Sequence, residues 1–236
     1  MSEHAIHTHF PGRLIFIGFG SIGQGVLPLI LRHVGGLAAE RITIVTADDA
    51  GREEAGRYGI KFINHPLTRE NFRHVLDPLV GRGDFVLNLS VDVSSIALIK
   101  LCHEQGALYL DTCIEPWPGG YTDSNIPASR RTNYALREEV LELRKAWSNG
   151  PTAVITHGAN PGLVSHFVKQ ALLDIAAGCG RDAGDPKSRE DWATLAKDLG
   201  IKVIHIAERD TQVSNRPKMS GEFVNTWSVD GFVSEG

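Results

Sequence analysis

Cysteine is scarce in this 236-residue chain, which contains only Cys102, Cys113 and Cys179. Their number is odd and none stands in a C-x-x-C pattern, so no disulfide framework is indicated. Free thiols are typical of proteins in the reducing cytosol, and we therefore expect a cytoplasmic protein.

Long apolar runs and basic stripes are also missing. No run approaches membrane-spanning length and the N-terminus lacks a signal-peptide pattern, so we expect no membrane segment. The formal net charge of −4 comes without a clustered basic region, which makes nucleic acid an improbable partner. His4, His7 and His9 could chelate a metal, but we favour a frayed polar arm and assign no metal site.

Residues 14–23 carry the sequence Leu-Ile-Phe-Ile-Gly-Phe-Gly-Ser-Ile-Gly, an apolar strand that runs into a glycine turn. In a dinucleotide site Gly18 allows the tight turn, Gly20 lets a pyrophosphate approach the backbone, and Gly23 lets helix and strand pack closely. Ser21 and Ile22 begin the helix, whose free N–H groups would face the phosphates. A glycine-rich turn of an ordinary α/β protein is the alternative, but the flanking strand and helix favour the dinucleotide.

Asp48 ends the second predicted strand, 25 residues beyond Gly23. The ribose-binding acid of dinucleotide sites usually follows the glycines by about 20 residues, and its carboxylate favours NAD over NADP. Alternatively, Asp48 or Asp49 caps the next helix. Arg52 weakens the preference for NAD, because an arginine there could accept a 2′-phosphate.

Strand and helix patterns alternate from Arg13 to Thr156, which predicts an α/β fold with a doubly wound parallel sheet of the Rossmann type. We expect helices over 21–33, 68–80, 93–105, 130–147 and 163–176, and a capping box at Ser188 that opens another. Strands are predicted over 41–46, 61–64, 84–90, 107–111, 152–156, 201–207 and 222–229.

Polar residues follow the predicted strands at their carboxyl ends, where parallel sheets bind ligands. On the cofactor side we place Asn88, Ser90, Asp111 and Thr112. On the substrate side we expect the acids Asp92, Glu115, Glu208 and Glu235, with the amide of Asn160 beside them. Each acid could instead be a solvated loop residue or a helix cap. His157 could shuttle a proton, although a structural role is favoured.

The sequence predicts two domains, a NAD-binding Rossmann domain over 1–157 and part of an α+β substrate domain over 158–236. The second stretch is short for a complete domain, so we expect a truncated form of a longer protein.

Several segments together resemble bacterial homospermidine synthases, which are related to the saccharopine dehydrogenase-like oxidoreductases. Besides the glycine turn, they are Asn-Leu-Ser-Val-Asp at 88–92, Leu-Asp-Thr at 110–112, Glu-Pro-Trp at 115–117, His-Gly-Ala-Asn-Pro-Gly at 157–162, His-Ile-Ala-Glu-Arg-Asp-Thr-Gln at 205–212 and Asn-Thr-Trp-Ser at 225–228. The last two are the most specific, and the resemblance extends from Arg13 to Gly236.

The resemblance implies an NAD-dependent aminobutyl transfer between polyamines. Putrescine gives a hydride to NAD, the resulting imine exchanges its amine with a second putrescine, and the hydride returns. The products are homospermidine and ammonia, spermidine is an alternative donor, and NAD acts as a prosthetic group. The family also suggests a homodimer.

Trp227 matches the substrate-facing tryptophan of the family, and with Glu208 and Asn160 it forms the expected catalytic set. An aromatic face within about 6 Å stabilises a cationic carbon–nitrogen intermediate. Trp227 could instead be a core residue. Trp117 is the second choice, although we favour a packing role for it beside its neighbouring prolines.

Two other functions compete with this one. A saccharopine or carboxynorspermidine dehydrogenase would make net redox product, and its carboxylate substrate should require an arginine clamp. A catalytically incomplete NAD-binding fragment, acting as a sensor or inactive module, is the third possibility.

Overall fold

The computed structural model describes residues 4–209, 211, 213 and 215–224, which form two compact units. The first unit contains residues 4–156 together with 220–224, and the second contains the described residues of 157–219. Trp227 and Glu235 therefore lie outside the described residues.

The first unit is built on a six-stranded sheet in which every neighbouring pair is parallel. Its strands are β1 Leu14–Ile17, β2 Ile42–Thr46, β3 Lys61–Asn64, β4 Phe85–Asn88, β5 Leu108–Asp111 and β6 Ala153–Val154. Their spatial order is β3-β2-β1-β4-β5-β6, so the chain first winds outward from β1 and then returns to its other side. The predicted doubly wound α/β fold is confirmed.

Helices cover both faces of this sheet. They are α1 Ser21–His33, α2 Arg52–Arg57, α3 Phe72–Leu76, α4 Ser95–Gln105 and α5 Asn133–Ala146. Because successive strand side chains point to opposite faces, Phe16 packs in one cluster with Leu27 of α1, and Ile15 in another with Leu98 of α4. Burial on both faces explains why β1 reads as a continuous apolar run.

Helix boundaries follow the local capping chemistry. The helix expected from Arg130 begins at Asn133, because the Thr132 hydroxyl accepts a hydrogen bond from the Ala135 N–H at 3.1 Å. The helix expected over 68–80 is reduced to α3. The Thr68 N–H donates to the side-chain oxygen of Asn71, and the Asn71 N–H donates to the Thr68 hydroxyl. These bonds give the stretch an alternative to helical hydrogen bonds.

The predicted frayed arm is wrong for the described part of the N-terminus. Residues Thr8–His9 pair in parallel with Val34–Gly35, directly after α1. The His7 N–H also donates to the His33 carbonyl at 2.9 Å, and the two imidazole rings stack with centroids 5.1 Å apart. The described residues contain no group of three metal-ligating side chains.

The described part of the second unit is helical, with α6 at Leu163–Gly178 and α7 at Arg189–Asp198. The predicted capping box is confirmed, since Ser188 and Asp191 exchange side-chain and backbone hydrogen bonds. The strand expected over 201–207 is wrong, because no strand lies alongside it in this part of the chain to supply its hydrogen bonds. Residues 222–224 of the last predicted strand also lack regular structure, and its remainder lies outside the described residues.

None of the helices within the described ranges combines the length and hydropathy that crossing a membrane requires.

Candidate functional site

The glycine turn between β1 and α1 depends on Gly18. Its φ of +81° lies in the left-handed region, and a Cβ there would stand 2.8 Å from the backbone N and Cα of Ser90. The turn is also held by the Gly18 N–H, which donates to the carbonyl of Val45 at 2.8 Å. Glycine at this position therefore brings the loop after β4 directly against the start of α1.

Gly20 has the opposite environment. Its φ of −75° suits any residue, and a Cβ built on it meets nothing within 4 Å. Gly20 is the N-cap of α1 and supplies no side-chain cap, and the first turn, where Ser21 and Ile22 lie, carries no acid. The first N–H groups of α1 are thus available to an anion that occupies the open space beside Gly20.

Gly23 packs inside this corner, where an added Cβ would lie 2.9 Å from the ring of Phe19. Phe19 is almost fully buried, so the ring has little room to yield. This agrees with the close packing that the sequence predicts for the third glycine.

A cavity of about 400 Å³ opens at the carboxyl ends of the central strands. Its walls come from the glycine turn, the end of β2, and the loops that follow β3 and β4. The strand order reverses between β1 and β4, which is where open parallel sheets bind their ligands. The structure thereby brings together five predicted site residues, Gly18, Gly20, Asp48, Ser90 and Asp92.

Asp48 lines this cavity just beyond β2, and its side chain accepts a hydrogen bond from the Ala50 N–H at 2.8 Å. The alternative in which Asp48 or Asp49 caps the next helix is wrong, because α2 begins after Gly51. Arg52 forms an exposed ion pair with Asp49 at 2.5 Å. Its guanidinium also lies 4.6 Å from the centre of the Phe62 ring.

Buried polar groups lie beneath the floor of the crevice, where β4 and β5 end. The Asn88 amide nitrogen donates to the Tyr109 hydroxyl at 3.1 Å, and that hydroxyl donates to an Asp111 carboxylate oxygen at 2.9 Å. The Ser90 hydroxyl donates to the Asn88 amide oxygen at 2.6 Å. The other carboxylate oxygen of Asp111 accepts from the Thr156 N–H at 2.6 Å.

Desolvation sets the protonation of this network. Burial raises the pKa of Asp111 from 3.8 to about 6, although hydrogen bonds from Thr156 and Tyr109 lower it. Burial and the neighbouring Asp111 charge raise the pKa of Tyr109 well above 10, so its hydroxyl remains a donor. Asn88 and Asp111 are almost fully buried, and their predicted contact with a cofactor stays a prediction, as does that of the half-buried Thr112.

Sequence reasoning missed Tyr109. Its position two residues before Asp111 in a strand puts both side chains on one face, and that spacing was the available signal.

Glu115 and Asp92 form an acidic pair close to the crevice. Glu115 is buried, with 5% of its surface exposed, and burial followed by the Asp92 charge raises its pKa from 4.5 to about 7. Asp92 lines the crevice itself and adopts a φ of +62°, which is unusual for a residue with a side chain. The structure therefore brings two predicted substrate acids into electrostatic contact.

The remaining predicted site residues belong to the second unit or lie outside the described residues. Asn160 is exposed in the loop before α6, and Glu208 is exposed in a stretch without regular structure. The ring of His157 packs edge-on against that of His166, with centroids 5.4 Å apart. Trp117, in the first unit, packs against Phe72 with ring centroids 5.5 Å apart.

Comparison with known proteins shows which family the chain belongs to. The saccharopine dehydrogenase NADP binding domain matches residues 14–154, more than half of the chain and nearly all of the sheet described above. The chain belongs to the saccharopine dehydrogenase NADP-binding domain family.

Two curated relatives of this family member are named homospermidine synthase. That of Blastochloris viridis is 49% identical over 239 residues, which span 100% of this chain and 50% of the relative. That of Mesorhizobium japonicum is 45% identical over 236 residues, spanning 98% of this chain and 48% of the relative. The chain thus spans about half the length of the curated relatives it matches, and its predicted resemblance to this family is confirmed.

A solved structure agrees with these matches. The homospermidine synthase of Legionella pneumophila, crystallised in complex with NAD, is 44% identical and superimposes with a TM-score of 0.81. The superposition covers 97% of this chain and 47% of that protein.

Proposed function

We propose that this chain carries the NAD-binding part of an enzyme that makes homospermidine by aminobutyl transfer between polyamines. The observation that carries this proposal is the 49% identity to a homospermidine synthase, which spans the whole chain. The crevice at the glycine turn supports the same conclusion from geometry.

The residues of the crevice suit NAD. Bound NAD would supply a reversible acceptor for the hydride that leaves the carbon beside a substrate amine. The open space at Gly20 and the uncapped start of α1 would hold the pyrophosphate. The Asp48 carboxylate would bind ribose hydroxyls and repel a 2′-phosphate. Arg52, which could accept such a phosphate, is paired with Asp49 at the surface.

The acidic pair suits a polyamine. A diamine carries two ammonium groups, and each must be paired with an opposite charge when it leaves water. Asp92 at the crevice wall can pair with one of them. Glu115, with a pKa of about 7, can accept the proton that the reacting amine must lose before hydride departs. Asn160, Glu208, Trp227 and Glu235 complete the site in this proposal.

The wall of the crevice gives no support to the competing dehydrogenase. No arginine or lysine lines the cavity formed by the described residues, whereas a carboxylate-bearing substrate should require a cationic clamp. A homodimer remains our expectation for the assembly, to be measured by light scattering.

Incubation of putrescine and NAD with the complete enzyme, of which this chain would form the NAD-binding part, tests the proposal. We expect homospermidine and ammonia by mass spectrometry and almost no accumulated NADH by absorbance at 340 nm. Steady NADH accumulation would instead support the dehydrogenase. NAD binding without any change in the polyamines would support a NAD-binding module that lacks turnover.

A further inference from the structure

A chain of side-chain hydrogen bonds runs from the crevice into the core of the first unit. Its members are Ser90, Asn88, Tyr109 and Asp111, and we name this chain the buried relay. Ser90 lies at the crevice wall, while the other three side chains are almost fully buried, at 1% exposure or less. The relay ends on Thr156, whose N–H donates to Asp111.

The direction of every bond in the relay is fixed by its buried end. The Asp111 carboxylate can only accept when ionised, so the single proton of the Tyr109 hydroxyl points toward it. The Tyr109 oxygen must then accept, and it receives the amide nitrogen of Asn88. That choice orients the whole amide, because its oxygen is left to face the N–H and the hydroxyl of Ser90 at 3.2 and 2.6 Å.

We propose that Tyr109 is a positioning residue for the dinucleotide, acting on it only through Asn88 and Ser90. The relay commits the proton of the Ser90 hydroxyl to Asn88, so Ser90 presents lone pairs to the crevice and accepts a hydrogen bond from a donor group of the ligand. The same bonds hold the Ser90 backbone against Gly18, which leaves no room for a Cβ on residue 18. This inference rests on the proposed binding of NAD.

The relay explains why a hydroxyl is buried at residue 109 when phenylalanine would fill the same space. Buried polar groups are costly unless each finds partners. This hydroxyl donates to Asp111 and accepts from Asn88, and Ser95 is a further side-chain partner. Without it the Asn88 amide nitrogen loses its buried acceptor, and only the weaker bond from the Ser90 N–H at 3.2 Å still orients the amide. The hydroxyl therefore specifies an orientation in addition to filling volume.

Calorimetric titration of NAD into four chains tests the proposal: wild type, Tyr109→Phe, Ser90→Ala and the double variant. We expect Tyr109→Phe to raise the Kd for NAD about three- to tenfold, the range of one hydrogen bond. In the Ser90→Ala background the same change should alter the Kd less than twofold, because the relay no longer reaches the ligand. Tyr134→Phe, at an exposed position in α5, is the matched control and should leave the Kd unchanged.

Two results would overturn the inference. One is a Kd for Tyr109→Phe equal to that of the wild type. The other is a loss of equal size in both backgrounds, which would indicate a general structural role. If Tyr109→Phe does not fold, Asn88→Ala interrupts the same relay. Its effect on the Kd for NAD is then measured with and without Ser90→Ala, and the same two results would overturn the inference. The wild-type titration separates the two proposals, since a wild type that does not bind NAD refutes the proposed function itself.

Discussion

Glu115 shows how burial prepares a single residue for chemistry near neutral pH. Its carboxyl group has little exposed surface, and the second carboxylate, Asp92, opposes its ionisation. Both effects favour the protonated form, so the folded protein keeps a proton that the unfolded chain releases. A group in this state can take up or give a proton near neutral pH.

The raised pKa predicts a pH dependence of stability. The usual pKa of glutamate is 4.5 and that of Glu115 is about 7, so the free energy of unfolding should fall as pH rises between these values. Below pH 4.5 Glu115 is protonated in both the folded and the unfolded state, so its burial carries no free-energy penalty for ionisation. Above pH 7 it is ionised in both states, and the full penalty, on the order of 3 kcal/mol, lowers the free energy of unfolding. Glu115→Gln should remove this slope and be more stable than wild type at pH 8.

Urea denaturation from pH 4.5 to 8.5 measures the effect, with the exposed Glu70→Gln as the matched control that leaves the slope unchanged. Burial also raises the pKa of Asp111, from 3.8 to about 6, so Asp111 adds a slope at the acid end of this range in both proteins, and the difference between the two proteins reports on Glu115. Equal slopes for wild type and Glu115→Gln would mean that burying this charge costs little.

At the scale of elements, the sequence predicts the sheet well because its strands are buried on both faces and read as apolar runs. Helices that carry strong local signals were also predicted, including the capping box at Ser188. What the sequence could not predict were elements decided by distant partners. The pairing of Thr8–His9 with Val34–Gly35 joins two short segments without a strong pattern of their own.

The same reasoning explains the wrong predictions. The 201–207 stretch has apolar side chains, but a strand exists only through bonds to a neighbour, and the described residues provide none. In the site, the glycine turn and Asp48 were predictable because one motif with fixed spacing identifies them. Tyr109 was not, because a buried tyrosine in a strand is usually a core residue and only the relay distinguishes it.

The capping box at the start of α7 gives a prediction at this scale. Ser188→Ala removes the hydroxyl that accepts from the Asp191 N–H at 3.1 Å, and loss of such a cap costs about 1 kcal/mol. Hydrogen exchange of the first amides of α7 should become about fivefold faster, while that of α6 is unchanged.

Ser165→Ala, within α6 and exposed, is the control, because it removes a hydroxyl of the same size without removing a cap. Unchanged exchange in Ser188→Ala would show that the box contributes nothing to the stability of α7.

At the scale of the whole molecule, the expected site is divided along the chain. The first unit holds the glycine turn, Asp48, the buried relay and the acidic pair, while Asn160 and Glu208 belong to the second. All of the proposed dinucleotide-binding residues therefore lie in the first unit. In the proposed function, polyamine transfer would draw on residues from both units and from positions 225–236.

Titration of NAD and NADP into wild type, Gly20→Val and Gly25→Val tests the central claim most directly. A Cβ added at either glycine meets nothing within 4 Å, so both variants should fold, but only the side chain at Gly20 would occupy the space of the pyrophosphate. We predict that wild type and Gly25→Val bind NAD more tightly than NADP. Gly20→Val should lose at least tenfold in affinity, about 1.4 kcal/mol. Equal affinity of Gly20→Val and wild type for NAD would contradict the account.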